Sequence, residues 1–328
     1  MVLEDKFGRR INYLRLAVTD RCNLRCHYCL PEGFHNFLPK DHLLSFEEII
    51  RLLRIVSSLG VTKLRITGGE PFVRKDLMTL LRMIHQEQLF ESLHMTTNGV
   101  LTEPHIEELV TLGFKSINLS LDSLDRKRFL QITKRDEFER VMNTLLALEK
   151  SVIKTKINAV VMAEENTQDI LPFVQFTQDH DVHVRFIEEM PFNGTGRQPK
   201  STWNFKAIES HITSAFDLEP LTMAPGDTAQ EYSIKGHIGS VGIIAAASRT
   251  FCGSCNRLRI GPRGDLQSCL YGPADTSLFD LFRSGADDLA IAERLTALVS
   301  RKPKDGFAAE KELVNSGERH ASMATIGG

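Results

Sequence analysis

The sequence predicts an α/β fold, an incomplete TIM-like barrel of six βα units, (βα)6, with a smaller C-terminal lobe. Two observations support this. Short apolar strands alternate with longer segments of helical period over residues 12–187, which is typical of a parallel sheet with helical crossovers. After Met190 the alternation stops and residues 191–199 are rich in proline and glycine, so we expect a barrel core over 1–190 and a lobe over 191–328.

The strands can be placed in order as apolar runs bounded by turn residues. Six parallel strands are too few to close an eight-stranded barrel, so we expect the barrel to stay open. Connections of helical length between parallel strands imply right-handed crossovers. The predicted strands are 13–18, 63–67, 93–96, 116–120, 154–162 and 183–186.

Two of the intervening helices have recognisable beginnings. Ser45 is followed three residues later by Glu48, which is the spacing of a capping box. Thr102 precedes a Glu-Pro pair at 103–104, a sequence typical of a helix start. In the C-terminal part, residues 286–299 also have helical period, so one helix is expected there.

Composition and charge exclude several classes of protein. With 328 residues, of which 42% are hydrophobic and 25% charged, the chain should fold rather than stay disordered. Forty Lys and Arg against 42 Asp and Glu argue against a protein that coats nucleic acid, but allow a local basic pocket. No apolar run approaches the roughly 18–20 residues of a membrane span. The charged first ten residues do not resemble a signal peptide, so we expect a reducing, cytoplasmic location.

The six cysteines form two groups of three: Cys22, Cys26 and Cys29, then Cys252, Cys255 and Cys269. In a chain without a secretory signal they favour metal or redox chemistry over disulfides. The first group has the spacing C-x3-C-x2-C in the loop after the first predicted strand. Three thiolates can hold a cuboidal iron–sulfur cluster and leave one iron open to a ligand. A zinc site with His27 as fourth ligand is the alternative.

A Gly-Gly-Glu-Pro segment, Gly68 to Pro71, follows the second predicted strand. Glycines at this place would let the backbone approach a ligand closely. An isolated Gly-Gly pair is often an ordinary turn. Its combination with the first cysteine group favours a ligand-binding loop.

The second cysteine group has the spacing C-x2-C, and Cys269 follows after thirteen intervening residues. Arg257 and Arg259 stand at alternate positions beside it, so a strand would point both guanidinium groups to one face. Their forked donors suit phosphate oxygens. A structural zinc site completed by His237, or a pair of solvated arginines, are the alternatives.

Seven motifs together resemble the GTP 3′,8-cyclase family of molybdenum cofactor biosynthesis (the MoaA family), within the radical S-adenosylmethionine (SAM) superfamily. The first two motifs identify only the superfamily, whereas the sixth and the terminal Gly-Gly are specific to the family, and the resemblance covers essentially the whole chain. The motifs are TDRCNLRCHYC at 19–29, RITGGEP at 65–71, TTNG at 96–99, INLSLDSL at 117–124, VRFIEEMPF at 184–192, FCGSCNRLRI at 251–260 and Gly327 with Gly328.

The resemblance implies a barrel of radical SAM type with two 4Fe–4S clusters, the second held in the C-terminal lobe. The cluster on Cys22, Cys26 and Cys29 would bind and cleave SAM, and the cluster on the later three cysteines would bind GTP. A deoxyadenosyl radical would take hydrogen from ribose C3′, and the carbon radical would attack guanine C8. The product would be (8S)-3′,8-cyclo-7,8-dihydroguanosine 5′-triphosphate, the first step of molybdenum cofactor (molybdopterin) biosynthesis. Acid–base chemistry cannot activate such a C–H bond, so the cofactor carries the difficult step.

The resemblance also assigns site residues. The SAM-binding residues would be Tyr28, Gly69, Ser120 and Met190. The GTP-binding residues would be Arg15, Arg65, Thr96, Lys156, Arg185, Arg257, Leu258 and Arg259, with Lys63 as an addition. The catalytic set would be Cys22, Cys26, Cys29, Arg257 and Arg259. The cations would offset the triphosphate charge, and we expect them at the carboxyl ends of the strands together with Thr96 and Ser120. The terminal Gly-Gly would enter the active site.

The implied partners are GTP, an electron donor of flavodoxin or ferredoxin type, the downstream cyclic pyranopterin monophosphate synthase and a second copy of the chain, with no membrane and no nucleic acid. The second hypothesis is a radical SAM enzyme that modifies a peptide or RNA, with an auxiliary cluster on the later cysteines. A zinc protein that binds nucleic acid is the third. Two departures from the family are Glu189, where relatives carry an aromatic residue, and an insertion or substitution at 194–202.

Overall fold

The structure of the chain, a computed structural model, describes residues 2–30, 33–34, 36–191, 202–275, 277–318 and 320–326. Our expectations for the 194–202 segment, apart from its last residue, and for the terminal Gly327 and Gly328 therefore lie outside the described residues. In the described ranges, no helix is long and apolar enough to cross a bilayer.

The strands form one continuous 11-stranded sheet in the described part of the chain. Its order is β11-β10-β1-β2-β3-β4-β5-β6-β9-β8-β7, where the strands are β1 (Tyr13–Ala17), β2 (Lys63–Thr67), β3 (Ser92–Thr97), β4 (Phe114–Ser120), β5 (Lys154–Val161), β6 (His183–Glu188), β7 (Leu218–Pro220), β8 (Ala229–Ile234), β9 (Ser240–Ile244), β10 (Arg257–Ile260) and β11 (Leu266–Gln267). The strands from β10 to β9 in this order are all parallel, and antiparallel strands lie outside them. The α/β fold with an open, unclosed barrel is therefore confirmed.

The six predicted strands correspond to β1–β6, with ends that differ by at most two residues. The C-terminal part contributes more than a lobe, because β10 pairs with β1 at one edge and β9 pairs with β6 at the other. Residues on both sides of position 190 thus build one wall.

Helices connect and cover the strands. They are α1 (Phe46–Ser58), α2 (Leu77–Glu87), α3 (Ile106–Thr111), α4 (Arg126–Thr133), α5 (Phe138–Glu149), α6 (Ile170–Phe176), α7 (Phe205–Thr213), α8 (Phe279–Arg283), α9 (Asp288–Ser300), α10 (Gly306–Asn315) and α11 (Met323–Ile326). The capping box of α1 is confirmed: Glu48 N–H donates to Ser45 Oγ, and Ser45 N–H donates to the Glu48 carboxylate. Thr102 does not cap the turn that precedes α3; its hydroxyl pairs with that of Thr97.

The two faces of the parallel sheet differ in polarity, because successive strand residues face opposite sides. Leu14 and Leu64 are completely buried and share one core with the inner face of α1. Their neighbours Arg15 and Arg65 line an interior cavity of about 990 Å³. Parallel strands are usually apolar on both faces, so this polar inner face indicates an interior built for a polar ligand.

Candidate active site

The first cysteine group lies in the loop after β1, as predicted. The end of α4 holds this loop, since Arg25 N–H donates to the carbonyl of Thr133 at 2.9 Å. Burial raises the pKa of the Cys26 thiol, and the nearby Asp122, Cys22 and Cys29 raise it further. The structure therefore brings the three thiols into one neighbourhood.

His27, the alternative zinc ligand, has a partner of its own. Its Nε2 lies 2.6 Å from Oε2 of Glu165. The ring is thus engaged by a carboxylate, and the structure gives the zinc alternative no support at this loop.

The structure shows a packing reason for the glycine pair, in addition to the expected approach to a ligand, which stays a prediction. A Cβ on Gly68 would lie 2.7 Å from the carbonyl oxygen of Thr19, and a Cβ on Gly69 would lie 2.5 Å from that of Arg21. Gly69 N–H donates to the Thr19 carbonyl at 2.8 Å. The glycines are needed because the chain that leads to the first cysteines packs directly on them, and this contact fixes the two loops to each other.

Two buried acids that the sequence analysis missed hold the surroundings of the first cysteines. Glu70 accepts hydrogen bonds from Thr97 Oγ1 and from Asn98 N–H, and burial raises its pKa to about 7. Asn98 in turn donates to Asn23, next to Cys22. Asp122 accepts from the hydroxyl of Tyr28 at 2.8 Å, and burial raises its pKa to about 6. Both acids lie in motifs that the sequence analysis quoted, at 65–71 and 117–124, but it assigned neither acid a role.

The second cysteine group lies beside β10. Cys252 begins a short 3-10 turn, Cys255 follows it, and Cys269 comes shortly after β11. Burial alone would raise the pKa of the Cys255 thiol, but Lys302 and Arg257 outweigh it and lower the pKa to about 7. The cations therefore favour the thiolate of Cys255, whereas burial raises the pKa of the Cys252 and Cys269 thiols.

Lys302 and Arg9 hold this group in place, and the sequence analysis missed both. Lys302 is only 2% exposed, and its Nζ donates to the carbonyls of Arg257, at 3.0 Å, and Ser268. Arg9 Nη1 donates to the carbonyl of Cys252 at 3.0 Å. His237, the alternative zinc ligand, precedes β9, and its Nδ1 lies 2.9 Å from Thr177 Oγ1.

Both triplets fit an iron–sulfur cluster by their donor set. All six cysteines are free of disulfides. In the ranges that the structure describes, no three His, Cys, Asp or Glu side chains are grouped as ligands of one metal ion. Thiolates that bind a cuboidal cluster sit on separate irons, so they gather around a larger volume than a single ion requires.

The cavity joins the second cysteine group to the predicted GTP-binding cations. Its lining includes Cys252, Cys255, Cys269 and Met190, together with Lys63, Arg15, Arg65, Lys156, Arg185, Arg257 and Arg259. Burial lowers the pKa of Arg15 to about 9 and that of Arg185 to about 10. Such buried positive charge, gathered from five strands, is costly without an anionic ligand.

The expected position of these cations was wrong in one respect. They stand at the first and third residues of their strands, as Lys63 and Arg65 do on β2, and not at the carboxyl ends. The period of two explains this, because alternate residues from the strand start share the inner face. Thr96 and Ser120 do lie near the carboxyl ends of β3 and β4.

Tyr13 organises the cations, although its position was not singled out from the sequence. Arg65 Nε donates to its hydroxyl at 2.6 Å, and the Lys63 ammonium lies 4.7 Å from the ring centre. Burial alone would raise its pKa, but Arg65 and Arg15 outweigh burial and lower it to about 7.

Several buried polar atoms on the inner face have no hydrogen-bond partner within the described residues. Arg185 contributes Nε and Nη2, and Asn118 and Asn158 each contribute Oδ1. Thr96 Oγ1 is in the same situation. Buried polar groups are normally paired, so these atoms indicate a ligand with both donors and acceptors.

Of the other predicted residues, Leu258, Tyr28 and Gly69 do not line this cavity, whereas Met190 does. Leu258 is completely buried in the hydrophobic core, so its side chain faces away from the cavity and only its backbone can reach a ligand. Tyr28 and Gly69 belong to the first cysteine region. Met190 lies with the second group, where the Tyr271 hydroxyl approaches its sulfur to 3.7 Å.

The described end of the chain connects the two cysteine groups. Ser322 donates from Oγ to the carbonyl of Cys29 at 2.5 Å. The next residues form α11, whose Met323 and Ile326 pack, as Met190 and Cys269 do, against the buried pair Tyr271 and Ala309; Met323 also lines the cavity. This segment therefore lies between the two groups.

Comparisons with known proteins agree with this geometry. The family model "Radical SAM superfamily" matches residues 16–177, and "Molybdenum Cofactor Synthesis C" matches residues 182–308. The mitochondrial GTP 3′,8-cyclase of Arabidopsis thaliana is 39% identical over 100% of this chain and 84% of its own length. Molybdenum cofactor biosynthesis protein 1 of Drosophila melanogaster is 38% identical over 95% of this chain, which spans about half of that protein, 55%.

Among solved structures, SuiB of Streptococcus suis bound to the precursor peptide SuiA superposes with a TM-score of 0.65 at 16% identity. The match covers 96% of this chain and 76% of that chain. At this identity the likeness shows the fold alone.

Proposed function

The chain belongs to the GTP 3′,8-cyclase family of radical SAM enzymes, and on this premise we propose which of its residues bind each ligand. It is a GTP 3′,8-cyclase of molybdenum cofactor biosynthesis that uses SAM and two 4Fe–4S clusters. The observation that carries the residue assignment is the cavity, where a cationic inner face meets three thiols.

For the first cluster we assign Cys22, Cys26 and Cys29, with SAM bound by Tyr28, Gly69, Ser120 and Met190. The convergence of the thiols and the direct packing of Gly69 on the cysteine loop support this assignment. When bound, SAM and the reduced cluster supply a one-electron hydrogen abstraction that acts on an unactivated sugar C–H bond. The side chains contribute position: Asp122 fixes the Tyr28 hydroxyl beside the loop.

For the second cluster we assign Cys252, Cys255 and Cys269. GTP then binds next to them, held by Thr96 and the cations Arg15, Arg65, Lys156, Arg185, Arg257 and Arg259, with Lys63 added. These cations offset the charge of a triphosphate at the point where it leaves water. Burial strengthens each contact between a cation and the triphosphate. These contacts together hold the ribose in one orientation for reaction at one carbon.

Neighbouring residues orient Arg65, one of the residues assigned to GTP. Tyr13 and the carbonyl of Met95 each accept from the Arg65 guanidinium at 2.6 Å. An arginine fixed at two of its nitrogens presents its remaining donors in one direction. We assign Leu258 to GTP binding through its backbone only, because its side chain is buried in the core.

The finer statements about partners, location and domains are also proposals. The donor of electrons is a flavodoxin or ferredoxin, because the reaction consumes electrons one at a time. The product goes to the cyclic pyranopterin monophosphate synthase, and the chain forms a homodimer. Six unpaired cysteines support a cytoplasmic location. We divide the chain into a radical SAM core, 1–190, and a second-cluster region, 191–328.

The test is an anaerobic assay of reconstituted protein with dithionite, SAM and GTP. One hydrogen atom leaves ribose C3′ for deoxyadenosine, and one electron and one proton return to the purine. The nucleotide product therefore has the mass of GTP but a different chromatographic retention. We expect it in equal amount to 5′-deoxyadenosine. Deoxyadenosine without a change in GTP would move the substrate to a peptide or RNA.

A further inference from the structure

His94 lies on the inner face of β3 in a row of side chains that crosses three strands. In the sheet register it stands between Arg65 on β2 and Ser116 on β4. Its side chain lines the cavity, and the residue is 8% exposed. Nδ1 lies 2.8 Å from Ser116 Oγ, while Nε2 is buried without a hydrogen-bond partner among the residues that the structure describes.

The imidazole is neutral in these surroundings. Burial lowers its pKa, and the neighbouring cations Arg65, Lys63 and Lys156 lower it further, to about 3. A neutral imidazole has one donor and one acceptor nitrogen. The Ser116 hydroxyl can donate to Nδ1, which leaves the proton on Nε2. The ring then offers a hydrogen-bond donor to the cavity without adding a charge.

The groups around Nε2 of His94 define what this nitrogen can bind. Arg65, Lys63 and Lys156 all present donors and positive charge to the same cavity. A ligand that accepts from each of them, and from a neutral N–H, is a polyanion with many acceptor oxygens. Among the groups of the bound substrate, only the triphosphate has this chemistry.

We propose that His94 is a further GTP-binding residue, which donates a hydrogen bond from Nε2 to a phosphate oxygen, and that Ser116 positions the ring through its contact with Nδ1. The inference rests on the proposed function, since it takes GTP as the ligand. It adds to the cations a contact that depends on geometry rather than charge.

The same arrangement recurs on the far side of the sheet. His183 on β6 stands in register between Lys156 on β5 and Ser240 on β9, and its Nδ1 lies 2.5 Å from Ser240 Oγ. A cation, a histidine and a serine thus follow one another across three strands twice. This repetition indicates that the row of cation, histidine and serine is a regular feature of the cavity wall.

The experiment measures dissociation constants of GTP and guanosine for the anaerobic holoprotein by equilibrium dialysis. In His94→Asn the amide can still meet Ser116, but no atom replaces Nε2. In His94→Gln the longer side chain returns an N–H close to that position. We expect His94→Asn to weaken GTP binding about tenfold, and His94→Gln to stay within about threefold of wild type. Guanosine affinity should be unchanged in both.

Ser116→Ala provides a second test, with an expected severalfold loss for GTP and none for guanosine. The control is His85→Asn, because His85 lies on α2 and bonds the Leu112 carbonyl instead of a cavity group. Wild-type GTP affinity in both His94→Asn and Ser116→Ala, or an equal loss for guanosine, would overturn the inference. A wild-type holoprotein that binds no GTP would instead overturn the proposed function.

Discussion

Arg9 donates a hydrogen bond from Nη1 to the carbonyl oxygen of Cys252 at 3.0 Å, although 243 residues separate them in the chain. The same guanidinium donates to the carbonyls of Pro303 and Lys304, and its Nε pairs with Asp5 at 2.6 Å. One buried side chain thus joins the N-terminal segment, the second cysteine loop and the turn after α9.

Replacing Arg9 with Met should therefore release the second cluster. Three carbonyl contacts are lost at once, whereas the loop with Cys22 keeps its own contacts, so iron content should fall to about half while SAM cleavage persists. Iron and sulfide analysis of anaerobically reconstituted protein measures this. Arg10→Met is the control, because the Arg10 side chain is 77% exposed. Full iron content in Arg9→Met would contradict the role.

Gly69→Ala should displace the first cysteine loop. The added Cβ would lie 2.5 Å from the carbonyl oxygen of Arg21, which is backbone and cannot rotate away. We expect a loss of about 1–3 kcal/mol of stability and much weaker SAM binding. Gly261→Ala is the control, since the nearest atoms to its Cβ would lie at 3.5 Å. Equal melting temperatures and SAM affinities for the two variants would count against the close packing.

Tyr13 should titrate near pH 7 in GTP-free protein. Burial opposes ionisation, but Arg65 and Arg15 outweigh it and lower the pKa from 10.0 to about 7. Because the folded pKa lies below the unfolded value, the phenolate's contribution to stability is full above about pH 10 and is lost as the pH falls through about 7.

The measurement is the free energy of unfolding of wild type and Tyr13→Phe as a function of pH. The free energy of unfolding of wild type should increase relative to that of Tyr13→Phe as the pH rises from about 7 to about 10. Ultraviolet difference spectra between the two proteins should show tyrosinate over the same range. A difference in stability that does not change with pH would show that Tyr13 stays protonated.

The two cysteine groups should separate in function. Cys22→Ala should abolish SAM cleavage, because the first loop would lose one of its thiols. Cys269→Ala should retain some cleavage and lose GTP cyclisation, since Cys269 lines the cavity with the cations. Deoxyadenosine and nucleotide product are quantified in the same anaerobic reaction. If both variants cleave SAM at the wild-type rate, the assigned division between the groups is wrong.

The sequence was most informative where polar and apolar residues alternate between clear turns. The strand over 63–67 was predicted to the residue, because its alternation is bounded by clear turns. The strands after residue 190 were missed. β11 and β7 are short, with two and three residues, but β8 and β9, with six and five, are as long as strands that were predicted. Their pairing depends on strands far away in the chain, which local patterns do not contain.

At the site, spacing revealed the cysteines but not the residues that support them. Arg9 lies next to Arg10, and Lys302 lies between Arg301 and Lys304, so neither differs in sequence from its charged neighbours. Their burial depends on contacts with carbonyls that lie far from them in the chain. Tyr13 and His94 did leave a signal. They belong to strands in which polar residues alternate with apolar ones, although strands of a parallel α/β sheet are usually apolar throughout. That alternation indicates a polar interior.

The pairing of β1 with β10 means that one edge of the sheet can be completed only late in synthesis. Residues 13–16 find their partners at 257–260, so one edge of the sheet stays bare while most of the chain is being synthesised. A bare strand edge is a template for pairing with other chains. The growing polypeptide thus passes through an aggregation-prone stage. The sheet beside the first cysteine group is complete only after Cys252, Cys255 and β10 have left the ribosome.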